Sequence, residues 1–208
     1  MFTESQLALL RKKVKSRLSD ERYRHTLGVE KCAVYLAELC LPGFENEIAA
    51  AAILHDVTKE LSVDEQLLII QKAGILLSED EKSSPQIFHS FTAPYVILKD
   101  FSDFATENVL SAVRRHTTGD VDMSVFDLII FLSDFIEENR TYKSCVELRD
   151  FVFSNIKPND INGNIKLLSI ASLREIDITI SNLISKNRVI TNKTIFLRNR
   201  LLTNNLQI

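Results

Sequence analysis

The sequence has few of the residues that interrupt regular secondary structure. Only five of its 208 residues are glycine and only four are proline. Because both residues mark the turns between short strands, their scarcity favours a chain of long helices. It also excludes a collagen-like or low-complexity sequence. We therefore expect an all-α fold, and the 45% of apolar residues is enough for the core of one domain.

Long hydrophobic runs and paired cysteines are missing as well. No apolar run approaches the roughly 18–20 residues that span a bilayer, and Glu4 precedes the basic residues near the N-terminus, the wrong order for a signal peptide. The three cysteines, Cys32, Cys40 and Cys145, form no Cys-x-x-Cys pair, which is typical of reduced thiols rather than of a disulfide framework or a zinc site. These absences predict a cytoplasmic protein that does not contact a membrane.

The charge is unevenly distributed along the chain. The formal net charge is −3, but residues 1–154 carry 25 acidic and 17 basic side chains, whereas residues 155–208 carry 3 and 8. A turn-rich segment around Pro158 lies where the balance changes. We therefore predict a domain over residues 1–155. Over residues 156–208 we predict a C-terminal helix and a basic tail that pack on that domain or on a partner subunit.

The basic tail, residues 185–208, has three interpretations. It contains five basic residues and no acidic one, which favours docking on the acidic part of the same chain or of a second copy in a homodimer. Nucleic-acid binding is the second interpretation, but Phe196 is the tail's single aromatic residue, so we expect no nucleic-acid partner. Disorder is the third, and the tail's isoleucine, leucine and valine content argues against it.

Apolar periodicity and capping signals divide the rest of the chain into helices. Thr3 and Gln6, and likewise Ser62 and Glu65, have the spacing of capping boxes. Residues 78–84 read as a polar loop. The predicted helices cover approximately residues 3–17, 20–40, 45–55, 62–72, 86–99, 105–117, 124–138, 142–154 and 165–184.

The strongest chemical signal is the pair His55-Asp56 at the end of an apolar helical segment. A buried carboxylate beside a buried imidazole is costly unless both have strong partners, and a bound cation serves both at once. The other three histidines, His25, His89 and His116, each lie on or at the end of a different predicted helix. This distribution predicts a metal centre built from several helices.

One more acid belongs to this pattern. Asp134 interrupts the apolar run from Leu128 to Ile136, where an acid needs a cation or a set of hydrogen-bond donors. Asp127 lies seven residues earlier on the same helix face and is a rival for the same role. Pairing of Asp134 with an arginine is the alternative to metal ligation.

Taken together, these residues resemble a known signature. The order His25, His55-Asp56, Asp134 resembles the H…HD…D pattern of the HD-domain metal-dependent phosphohydrolases. The fuller set is similar to the YqeK family of symmetrical diadenosine tetraphosphate hydrolases, over roughly residues 5–155. The segments that carry the resemblance are residues 22–29, 54–60, 88–90, 114–119 and 132–140.

The resemblance implies an HD-domain helical bundle with two divalent metal ions, iron in the characterised relatives. Imidazoles combined with carboxylates also suit manganese or zinc better than magnesium. The implied ligands are His25, His55, Asp56 and Asp134 for one ion, and Asp56, His89 and His116 for the other. The implied catalytic residues are Asp56 and Lys59, and the candidate substrate-binding residues are Arg22, Lys59, Arg114 and Arg140.

The function implied is hydrolysis of diadenosine tetraphosphate to two ADP by a metal-activated hydroxide. The sequence departs from the family where Asp120 and Asp122 replace Arg and Gly of an Arg-Pro-Gly-Met segment, and where Leu128 replaces Lys. Two alternatives follow from these departures. The protein hydrolyses a different nucleotide, or it is a regulator that binds a nucleotide without turning it over.

Overall fold

The computed structural model describes residues 2–206, with side chains to residue 204, and this part of the chain contains no β-strand. The all-α prediction is confirmed. Two short 3₁₀ turns, Pro85–Ile87 and Ser102–Phe104, lie directly before and just after the sixth helix, Phe88–Asp100. Helices α1 to α11 are, in order, Glu4–Lys15, Asp20–Cys40, Glu45–Leu54, Val63–Lys72, Glu79–Lys82, Phe88–Asp100, Glu107–Arg115, Val125–Ile136, Lys143–Asn155, Ile161–Ser185 and Asn192–Leu206.

Local capping explains where several helices begin and end. Thr3, Ser62 and Ser124 each form a capping box, in which the side chain accepts a hydrogen bond from the backbone three residues later. Gly119 follows α7 with a φ of 66°, the left-handed conformation that glycine adopts most easily after a helix. The predicted polar loop at residues 78–84 is wrong in part, because it contains the short helix α5.

Helix α3 lies in the centre of the molecule and positions the site. All residues from Ile48 to Leu54 are buried, and α3 packs against α1, α2, α7 and α8. Its four consecutive alanines, Ala49–Ala52, have almost no side chain, so the neighbouring helices approach closely on every side. His55 caps the C-terminal end of α3, so the chain leaves this helix in the interior of the protein.

The C-terminal residues form two helices that pack on the rest of the chain. Helix α10 lies against α2, α8 and α9, and α11 packs along α10. From α11, Lys193 lies 3.4 Å from Asp120 and Arg198 lies 2.6 Å from Asp177. The predicted domain begins at Met1 and the predicted tail ends at Ile208, and both termini lie outside the described residues.

Two other expectations can be compared with the described residues. All three cysteines are buried as free thiols. Among the helices described, none combines the length and the apolar character needed to cross a membrane.

Candidate metal centre

The four histidines converge on Asp56 in the protein interior. His25 comes from α2, His55 from the end of α3, His89 from α6 and His116 from the end of α7. Each of these side chains, and Asp56 itself, is buried. Four separate segments of the sequence therefore contribute to one cluster, because Asp56 directly follows His55.

Asp56 lies between two pairs of imidazoles. Its Oδ2 atom is 3.4 Å from Nε2 of His55 and 3.9 Å from Nε2 of His25. Its Oδ1 atom is 3.4 Å from Nε2 of His89 and 3.6 Å from Nε2 of His116. One carboxylate thus directs one oxygen to each pair, which is the arrangement expected of a group that bridges two ions.

Two overlapping groups have the spacing of metal ligands. The candidate donor atoms of His25, His55 and Asp134 lie within 4.8 Å of one another. The same is true of His55, Asp56 and His116. His89 adjoins the second group, because its Nε2 atom is 3.1 Å from Nε2 of His116.

The orientation of two rings shows that the donor set fits a metal ion. Nδ1 of His55 lies 2.7 Å from the carbonyl oxygen of Ala52, and Nδ1 of His116 lies 2.7 Å from that of Val113. Donation from Nδ1 leaves the Nε2 lone pair facing the cluster. Nε2 of His55 is completely buried and makes no hydrogen bond with any described residue. A buried nitrogen without a partner is costly, and a divalent cation would satisfy it.

The electrostatic environment keeps the carboxylates ionised. Burial raises the pKa of Asp56, but the imidazoles of His55, His116 and His89 outweigh it and hold the pKa well below the ordinary value. Burial lowers the pKa of His25, but the carboxylates of Asp134 and Glu137 outweigh burial and raise it to about 9. Burial and the Lys59 cation lower the pKa of His89, which favours the neutral ring that a metal ligand needs, whereas His25 must release its proton to bind a metal ion.

The structure distinguishes Asp134 from its rival Asp127. Asp134 Oδ1 lies 2.9 Å from Nε2 of His25 and 2.7 Å from Nη2 of Arg140. Asp134 therefore has the contacts expected from both interpretations of the sequence: it adjoins the histidine cluster and it also pairs with an arginine. Asp127 instead completes the capping box of α8 and accepts a hydrogen bond from Arg115 at 3.1 Å, which places it outside the cluster.

Three of the four candidate substrate-binding cations border the centre. Arg22 Nη1 lies 3.0 Å from Asp56 Oδ2, Lys59 Nζ lies 3.2 Å from His89 Nε2, and Arg140 contacts Asp134. Arg114 is placed differently. Its guanidinium lies 3.5 Å from the ring centre of Phe91 and 3.6 Å from the buried carboxylate of Glu81.

Comparison with known proteins identifies the architecture. The family model described as the HD domain matches residues 22–139, more than half of the chain and every residue of the cluster. The chain belongs to the HD-domain family. As a member of this family it binds divalent metal ions, and the His/Asp groups described above are where its fold places suitable donors.

Two curated relatives and one solved structure match this chain over most of their length. A symmetrical bis(5'-nucleosyl)-tetraphosphatase of Halalkalibacterium halodurans is 34% identical over 193 residues, which is 91% of this chain and 93% of that protein. A protein of the same name from Bacillus subtilis is 32% identical over 65% of this chain and 72% of its own. A crystal structure from Clostridium acetobutylicum, described as a predicted HD superfamily hydrolase involved in NAD metabolism, has a TM-score of 0.78 at 28% identity. The match covers 98% of this chain and 99% of that one.

A polar cavity opens beside the HD-domain cluster. Its volume is about 690 Å³, within the range of sites that hold small organic ligands. His25 lies in its wall, so the cavity connects the cluster to the surface. The other lining residues are Ser19, Glu21, Arg22, Arg24, Glu60, Glu137, Asn139, Arg140, Thr141 and Tyr142.

Sequence reasoning missed a carboxylate of this centre. The sequence predicts that Glu137 and Glu138 form a solvated helix end. Glu138 is exposed as predicted, but Glu137 is only 1% exposed, so the prediction is wrong for this residue. Oε1 of Glu137 lies 3.1 Å from Nδ1 of His25, and this contact orients the ring. Gly28 is the sequence feature that could have indicated this buried contact, because a Cβ atom there would lie 2.1 Å from Glu137 Oε2. A glycine inside a helix indicates that something approaches the backbone closely.

Proposed function

We propose that this HD-domain protein is a metal-dependent hydrolase that cleaves diadenosine tetraphosphate symmetrically into two molecules of ADP. The observation that carries the proposal is the position of Asp56, which directs one oxygen to each of two histidine pairs. The relatives named for this activity match most of the chain and support the choice of substrate.

The two ions would be held by the two sides of the cluster. His25, His55, Asp56 and Asp134 would hold one ion, and Asp56, His89 and His116 the other. Iron is our first choice, and manganese or zinc would suit the same donors. When bound, the ions would supply Lewis acidity and a hydroxide nucleophile at neutral pH.

The surrounding side chains would bind and orient the polyphosphate. Arg22, Lys59 and Arg140 present cations at the edge of the cluster, two of them already beside a carboxylate. Because phosphate oxygens carry negative charge, these cations would hold the chain of phosphates across the centre. Arg114 remains a candidate only if its guanidinium leaves Phe91 and Glu81, so we place it second to the other three.

The cavity beside His25 would hold one nucleoside half of the substrate. Tyr142 lines this cavity and its side chain is 72% exposed, so its ring is free to stack on a base. Arg24 and Asn139, which the sequence reasoning did not single out, line the same cavity. Both side chains would be available to contact ribose or phosphate groups of a nucleotide in this cavity.

The alternatives have less support. The acidic departures Asp120 and Asp122 left a regulator without turnover open as an alternative, because acids near the centre repel a polyphosphate. Lys193 lies 3.4 Å from Asp120 and neutralises this acid, which weakens the argument. We further propose that residues 1–155 form the catalytic unit, that residues 156–208 pack on it, and that the enzyme works in the cytoplasm.

Two buried aspartates provide a matched test. Asp56→Asn removes the bridging charge, whereas Asp127→Asn removes a carboxylate of equal burial outside the cluster. We expect Asp56→Asn to lose both bound metal and hydrolysis, and Asp127→Asn to keep two ions per folded chain. An Asp56→Asn protein that retains two ions would contradict the bridging role.

A further inference from the structure

Helix α11 lies outside the matched HD domain and contacts a loop that leads directly from the metal cluster. This loop, residues 116–120, begins with His116 at the C-terminal cap of α7. The loop is hydrogen-bonded to the end of α7, because the backbone amide of Gly119 donates to the carbonyl oxygen of Arg115 at 2.9 Å. The position of His116 therefore depends on how the following residues are held.

Three consecutive residues of the loop contact one face of α11. The hydroxyl of Thr194 donates to the carbonyl oxygen of Thr118 at 2.8 Å. Leu197 is buried against Gly119, so closely that a Cβ atom on this glycine would lie 2.2 Å from Leu197 Cδ2. Lys193 pairs with Asp120 at 3.4 Å.

The loop also carries a polar group into the cluster itself. The hydroxyl oxygen of Thr117 lies 2.9 Å from Nε2 of His116 and 3.0 Å from Nε2 of His89. These two nitrogens are the proposed donors to the second ion. A shift of the backbone at residues 117 and 118 would therefore move both the proposed ligand His116 and the hydroxyl of Thr117 beside it.

From these contacts we propose that α11 is a positioning element for the second metal ion, acting through the hydrogen bond from Thr194 to Thr118. The inference rests on the proposed second ion and is independent of the substrate. The hydrogen bond is buried, since Thr118 and Thr194 are both buried, so water does not replace it when it is lost. The C-terminal helix, beyond the matched HD domain, is then part of the functional centre.

Thr194→Val tests the proposal because it removes the hydroxyl and keeps the shape of the side chain. The matched control is Thr203→Val, which changes an exposed threonine on the same helix. Thr194→Ser restores a hydroxyl. Metal-free protein is titrated with Mn²⁺, and free Mn²⁺ is measured by electron paramagnetic resonance, which gives the dissociation constants of both ions without any substrate.

Thr194→Val removes two hydrogen bonds of this hydroxyl, to Thr118 and to Thr191, and only the bond to Thr118 reaches the loop. We expect the substitution to weaken binding of the second ion about fivefold, the order of one buried hydrogen bond, and to leave binding of the first ion unchanged. Thr194→Ser and Thr203→Val are expected to match the unmodified protein. In turnover assays, excess Mn²⁺ should restore kcat of Thr194→Val with KM unchanged.

Several results would overturn the proposal. Equal affinities in Thr194→Val and Thr203→Val would show that α11 only covers the loop. An equal loss of affinity for both ions would show that the substitution acts through the stability of the fold. An unmodified chain that binds a single Mn²⁺ would contradict the second site. Binding of two ions without hydrolysis of diadenosine tetraphosphate would contradict the proposed function alone.

Discussion

Replacement of Gly28 by alanine is expected to disturb the metal centre through Glu137. The new Cβ atom would lie 2.1 Å from Oε2 of Glu137 and 2.7 Å from Nδ2 of Asn139. Ordinary contacts begin at about 3.4 Å, so the carboxylate must move by more than 1 Å. A hydrogen bond stretched by that distance is lost.

The size of the effect follows from the contacts of this carboxylate. Oε2 accepts hydrogen bonds from the backbone and side-chain nitrogens of Asn139 at 2.7 and 2.8 Å. Loss of two bonds to a charged group costs about 3 kcal/mol, while alanine in a helix gains about 1 kcal/mol over glycine. We expect Gly28→Ala to lower the free energy of unfolding by about 2 kcal/mol, which is about 6 °C in Tm for a chain of this size.

The metal centre should weaken at the same time. Oε1 of Glu137 orients His25 through Nδ1, and loss of such a partner typically costs about tenfold or more in metal affinity. Thermal unfolding gives the stability and Mn²⁺ titration gives the affinity. The decisive control is a double-mutant cycle with Glu137→Ala. In that background the obstructing carboxylate is absent, and Asn139 Nδ2, no longer held by Oε2, is free to turn away from the new Cβ atom. There, Gly28→Ala should gain about 1 kcal/mol. An undiminished loss of 2 kcal/mol in that background would refute the reasoning.

Three further substitutions or treatments have defined outcomes. Tyr142→Ala should raise KM for diadenosine tetraphosphate about tenfold with kcat unchanged, because it removes a stacking surface from the cavity wall; a fall in kcat alone would contradict this. Asp127→Asn should lower the free energy of unfolding by about 2 kcal/mol, because it disrupts the cap of α8 and the ion pair with Arg115, and calorimetry measures this loss. Removal of metal by a chelator should lower Tm, and Mn²⁺ at about 100 times its dissociation constant should restore about 3 kcal/mol of stability for each ion bound; an unchanged Tm would count against a metal in the folded core.

The sequence was sufficient to predict nine of the eleven described helices and most of the cluster, because these depend on local signals; α5 and α11 were not predicted as helices. Capping residues such as Ser62 and Ser124 act within one turn, so their effect is visible in the sequence. The histidines were recognisable because each lies on or at the end of a different predicted helix. The choice between Asp127 and Asp134 needed the structure, since both lie on one face of α8 and only their distance from the other helices separates them.

Contacts between distant segments could not be predicted in the same way. Glu137 is buried because α2 approaches it at Gly28, more than one hundred residues earlier in the chain. Arg114 lies two residues before His116, yet the end of α7 turns its side chain towards Phe91 and Glu81. Sequence proximity to a ligand therefore indicated the region correctly and left the direction of the side chain undetermined.

The central claim is tested most directly by separating the products of diadenosine tetraphosphate hydrolysis. Protein purified without chelator, with its metal content measured, is incubated with the substrate, and the nucleotides are resolved by chromatography. We expect ADP as the sole product, formed by the unmodified protein and absent with Asp56→Asn. Formation of ATP together with AMP, or no turnover with two ions bound, would contradict the account.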